Sequence, residues 1–216
     1  MTDLRRLTGL PVLALTFVVA AALATAMSAS SPGTSAHDTS DHFWRIVTPN
    51  GMAAEEYVDP AHMAREADLV VVGRVESATM GREWVAAPEL LDDPFGQERA
   101  YARFATVMIR VEQVLGPTAF PVRKDLVPVE VFLHRPEVLD ELRQNVPGER
   151  AIFALRNKGA DDSPTFFRLV NDAQGVIREF GHRAHLQADV GSGFENVEGV
   201  GFASLVESMR AARAEE

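Results

Sequence analysis

Two hydrophobic periods alternate along the chain, and the points where one gives way to the other divide it into elements. Residues 68–77, DLVVVGRVES, are β-branched and nearly continuous in valine. That pattern predicts a strand covered on much of both faces, with Gly73 marking a bulge or a close backbone approach. Residues 102–116, ARFATVMIRVEQVLG, alternate cleanly: Ala105, Val107, Ile109 and Val111 fall on one face and Thr106, Arg110 and Glu112 on the other, the signature of a half-buried strand. In LVPVEVFLH, residues 126–134, Val127, Val129, Val131 and Leu133 share a face. Pro128 has no N–H for a ladder, so this strand belongs at or near a sheet edge. RAIFALR (150–156) and TFFRLVND (165–172) predict two more short strands, separated by the polar turn GADDSP.

Helical spacing fills the gaps. In VDPAHMAREAD, Asp59 is a candidate N-cap and Pro60 suits the first helical position, so a short helix is expected to end by Ala67. RPEVLDELRQNVPGE has Val138, Leu139 and Leu142 at helical spacing and Pro147-Gly148 as its stop. Near the C-terminus, Ser204 and Glu207 have the spacing of a capping box ahead of Leu205, Met209 and Ala212, with the charged tail RAARAEE left to water. The order is short helix, three strands, helix, two or more strands, helix. The expected fold is mainly β: an OB-like Greek-key barrel of five or more antiparallel strands, with a helix after the third strand and a C-terminal helix. A two-sheet sandwich is the alternative.

The N-terminus adds an address. MTDLRRL is a short basic head, an apolar run follows, and Ala24-Thr25-Ala26 is an A-x-A cleavage site. Residues 1–26 therefore read as a secretory signal peptide, or as an N-terminal membrane anchor if uncleaved. Residues 27–55, rich in Ser, Thr, Pro and Gly at their start, read as a flexible linker in which His42 is solvated, and residues 56–216 as the barrel domain. The formal charge is −10, and residues 1–26 hold Asp3, Arg5 and Arg6, so a cleaved chain carries −10 − 1 = −11. Such a surface repels nucleic acid and anionic lipid, leaving membrane contact only through a retained N-terminal segment. There is no cysteine, which excludes disulfides, thiolate nucleophiles and Cys-containing zinc sites.

ADLVVVGRVESA, FATVMIRVEQVLGP and GERAIFALRNKGADD together resemble the netrin-like module of the tissue inhibitors of metalloproteinases, and uncharacterised exported bacterial proteins built on the same barrel. There too an Ala-Asp pair leads into a hydrophobic first strand and a second strand runs into a Gly-Pro corner. The resemblance covers roughly residues 67–170 and implies the barrel fold. Those inhibitors chelate zinc through an N-terminal cysteine, so no inhibitory residue carries over to this chain.

Candidate chemistry is sparse. No nucleophile elbow and no phosphate-cradling glycine loop is present, so no catalytic residue and no cofactor is expected. The connection from Ala78 to Tyr101 is much longer than a hairpin loop, and long loops tend to be functional. Within it Trp84 and Phe95 offer large apolar anchors, and Asp92 and Asp93 favour a basic partner. The expectation is an exported, non-catalytic binding module for a protein or peptide of the bacterial cell envelope. The competing reading is a metal-dependent hydrolase using His182 and His185 with Glu179 or Asp189. Against it, GVIREF and RAHLQ read as a hairpin with Phe180-Gly181-His182-Arg183 at its tip, which sends the two histidines to different places. A tethered structural protein becomes the third reading if the N-terminal segment is retained.

Overall fold

Valine fills positions 70–72 at the start of the first strand because both of its faces are buried there. In the computed structural model, which describes residues 36–48, 56–85, 87–91, 101–118, 120, 122, 125–159, 166–171, 174–186 and 194–215, strand β1 spans Leu69–Val85. Val71 and Val75 point into one apolar cluster and Val70 and Val72 into another. The remaining strands are β2 (Tyr101–Val114), β3 (Leu126–Leu133), β4 (Ala151–Asn157), β5 (Phe167–Leu169), β6 (Val176–Phe180) and β7 (Arg183–His185). Among the described residues four α-helices accompany them: α1 (Ala36–Val47), α2 (Pro60–Glu66), α3 (Val138–Gln144) and α4 (Phe202–Ala214).

The strand order β1-β2-β3-β5-β4 closes on itself through β1 and β4, from Leu69↔Leu155 to Gly73↔Ala151, making a five-stranded OB-like barrel with accessory helices. Closure removes the edges that an open sheet would expose. One pair departs from the antiparallel expectation: β3 and β5 run parallel, meeting at Val129↔Phe167. The edge position expected from Pro128 is not what forms: β3 lies between β2 and β5, and Pro128 stands opposite Met108 of β2, next to the single pair that joins β3 to β5. Gly73 sits at a register shift where a Cβ would lie 2.3 Å from the Arg110 carbonyl oxygen, so the close approach read from the sequence is real. Beyond β4 the hairpin β6–β7 extends the sheet.

The barrel interior takes the alternating positions of β2 and β3, Ala105, Val107 and Ile109 against Val127, Val129, Val131 and Leu133. Val138, Leu139 and Leu142 of α3 join it. The second cluster lies outside β1 and β4, where Val70, Val72, Ile152 and Ala154 are covered by Met63 of α2 and by Phe202, Leu205 and Met209 of α4. The Asp59 carboxylate accepts from the His62 backbone N–H at 2.7 Å, the N-cap that starts α2.

Three further expectations change. The stretch 27–55 is not all linker: α1 occupies Ala36–Val47, and Phe43 and Trp44 are wholly buried in the barrel interior. Phe43, Trp44 and Val47 form one helical stripe, and its burial outweighs the Ser/Thr-rich character of the residues before it. His42 is accordingly placed on a helix, with its Nε2 3.0 Å from a Glu141 carboxylate oxygen. Residues 27–35 and 49–55 lie outside the described residues.

Helix α4 starts one turn earlier than the capping-box spacing predicts, with Gly201 as N-cap and Ser204 exposed. The chain is fixed there by the Phe202 N–H donating to the His182 carbonyl at 2.9 Å and Leu205 N–H to Gly201 at 3.1 Å. Nor does the whole tail face water, because Arg213 is buried. Its guanidinium donates to the carbonyls of Ala64, Ala67, Asp68 and Pro117, thereby capping the C-terminal end of α2.

Candidate functional site

The long connection after the first strand begins as strand. Residues Ala78–Val85 continue β1 and pair with β2 as far as Val85↔Tyr101, so Trp84 stands on a strand and not in a loop. The pairing has a flaw that builds the site. Register passes from Met80↔Ala105 to Glu83↔Arg103, leaving Gly81 and Arg82 together opposite the single residue Phe104. Such bulges bend a strand and re-aim a side chain. A Cβ at Gly81 would stand 2.9 Å from the Phe104 carbonyl oxygen, so the bulge needs glycine there.

The re-aimed side chain is Arg82. Its Cζ lies 4.6 Å from the Trp84 ring centroid, 5.4 Å from Phe104 and 4.3 Å from Phe166. A guanidinium over aromatic faces at these distances contributes about 0.5–2 kcal/mol per contact, depending on solvent access. Phe104 is the hub: its ring is 5.2 Å from Trp84 and 5.6 Å from its cross-strand partner Phe132, and Arg168 of β5 covers it at 4.7 Å.

Below the aromatic layer sits Glu130 of β3, with a side chain only 6% exposed. Arg82 Nε donates to it at 2.7 Å and Arg168 Nη2 at 3.4 Å. A carboxylate taken out of water needs such partners, because desolvation costs it several kcal/mol. The guanidinium groups remain more open than their anion, at 41% for Arg82 and 32% for Arg168. This face is therefore locally cationic on an acidic chain. Trp84 and Phe132 keep 41% and 54% of their surface exposed, and Met80 and Val85 are exposed beside them. Exposed aromatics packed on a rigid scaffold, with charged groups fixed below, are what binding surfaces use as anchors.

Of the residues picked out from the sequence, Trp84 belongs to this cluster, while Asp92, Asp93 and Phe95 lie outside the described residues. His182 and His185 are separated by the hairpin. Gly181 and His182 both take positive φ, 56° and 66°, the two-residue turn that joins twisted strands. His182 is almost wholly exposed at the tip, with Nδ1 3.4 Å from Glu179, while His185 Nδ1 lies 2.5 Å from Glu198. Glu179 is itself held by Arg150 at 3.0 Å, and Asp189 lies outside the described residues. Among the described residues, no three His, Asp or Glu side chains converge on one point where a metal could sit.

Arg82, Phe104, Phe132, Glu130 and Arg168 were not found by sequence reasoning. A signal existed for two of them: Phe104 and Phe132 occupy the outward phase of strands whose inward phase is already filled with Val, Ile and Leu. A large aromatic on the solvent side of two neighbouring strands is the anomaly. Nothing in the sequence pairs Arg82 with Phe104, because that contact depends on the bulge.

Fold and site together define an OB-like barrel module bearing an aromatic and guanidinium cluster on the outer face of β1–β3 and β5. No protein-family profile matches this chain, and neither a curated protein nor a solved structure matches it.

Proposed function

We propose that this chain is an exported, non-catalytic binding module that takes a protein or peptide partner of the bacterial cell envelope on the Trp84–Phe104–Phe132 face. The observation that carries this reading is the cluster itself. Two half-exposed aromatic rings are held in fixed orientation by Phe104, Arg82 and Arg168. Holding them costs a buried carboxylate and a bulge, which a surface serving only to cover the barrel does not need. The signal-like N-terminus supports a location outside the cytoplasm, and the netrin-like resemblance supports the barrel as scaffold.

The test is comparative cross-linking in envelope extract with the wild-type chain and a Trp84→Ala/Phe132→Ala variant whose melting temperature stays within a few degrees of wild type. A partner captured by the first and lost by the second supports the reading. Identical capture profiles overturn it.

A further inference from the structure

The barrel wall has one thin seam. β3 is laddered to β2 along its whole length, from Arg110↔Leu126 to Arg103↔Leu133, but meets β5 at one pair only, Val129↔Phe167. Residues 130–133 run on past the end of that ladder, and among the described residues no strand pairs with them on the β5 side. A cleft of about 120 Å³ opens there between β3 and β5. Its lining joins interior side chains, Val47, Val131 and Leu169, to Phe132 and Arg168 of the outer face. A run of open strand edge beside a cleft that mixes apolar and charged walls is how extended peptides are bound by strand addition. Main-chain hydrogen bonds supply affinity and alternate side chains entering pockets supply specificity.

Charge selects the occupant. At the rim the exposed groups are guanidinium, while Glu130 is buried beneath them. The Arg168–Glu130 contact is long at 3.4 Å, and the buried Arg168 Nε has no hydrogen-bond partner among the described residues. Buried donors without acceptors are rare in folded proteins, and the planar fork of a guanidinium suits a further carboxylate.

We propose that this seam takes an extended acidic peptide segment as an added strand on β3, with an aliphatic or aromatic side chain in the cleft and an Asp or Glu carboxylate on Arg168. The inference rests on the binding-module reading and narrows its partner to a segment of that chemistry.

The experiment is selection of a displayed library of random dodecapeptides on the purified full chain, followed by affinity measurements with the enriched peptides. Enriched sequences are expected to carry Asp or Glu within two residues of a large apolar residue. Their affinity falls tenfold or more on Arg168→Gln, with the melting temperature checked. N-methylation of successive peptide amides weakens binding with a period of two, a readout that needs no protein variant. Peptides that need Trp84 and Phe132 but show neither an acidic requirement nor the two-residue period overturn the strand-addition proposal and leave the binding module standing. No enrichment, or enriched peptides indifferent to both faces of the test, overturns both.

Discussion

Truncating Trp44 separates a core helix from a linker. Its indole is fully buried in the barrel interior, 5.2 Å from the Phe43 ring and 6.0 Å from Phe153 of β4, and its Nε1 donates to Glu149 at 2.7 Å. Replacement by alanine removes that packing and leaves a cavity, a change that costs about 3–5 kcal/mol for a large aromatic. The Glu149 carboxylate keeps Ser40 and Arg178 as donors, so no uncompensated buried charge adds to the loss. Taking the middle of the range, about 4 kcal/mol corresponds to a drop of about 8–16 °C in melting temperature for a domain of this size. The assay is urea unfolding of wild type and Trp44→Ala, with Trp44→Phe expected to lose much less. The chain has two tryptophans, so Trp84→Phe leaves Trp44 as the sole indole reporter. Its emission is expected to be blue-shifted and shielded from acrylamide until the barrel unfolds. A destabilisation below about 1 kcal/mol, or free quenching of Trp44 in the native protein, refutes the packing of α1.

Arg213→Met is expected to cost about 3 kcal/mol in urea unfolding, because four backbone carbonyls lose a charged donor and α2 loses its cap. Gly116→Ala should be destabilising at the same place, since φ is +81° and the added Cβ would meet the Arg213 side chain at 2.5 Å. His182→Gly should raise the melting temperature by about 1–3 °C, because a non-glycine residue at φ 66° is relieved; a fall would show that the His182 side chain supports the turn. Metal analysis of the purified chain is expected to find no stoichiometric zinc. A zinc-induced thermal shift abolished by His182→Ala/His185→Ala would revive the metal-dependent reading.

Local pattern made much of this molecule legible. The two-residue period of β2 and β3, the Asp59-Pro60 start of α2, the proline-glycine stop after α3 and the Gly181-His182 hairpin tip depend on neighbours within a few positions, and those the sequence carries outright. The order of elements then left few ways to close a barrel, and the OB-like one is what forms. Long-range contacts had no such signature. α1 is a helix because Phe43 and Trp44 find the barrel interior, and Arg213 is buried because four carbonyls from two other segments meet it. Trp84 is legible by its size, whereas its neighbours are set only by the register slip at Gly81, which turns Arg82 over Phe104 and above Glu130. The sequence by itself determined which residues could form strands and helices. Tertiary structure alone decided which side chains of different elements meet, because a shift of register moves a side chain without altering the pattern that made the strand.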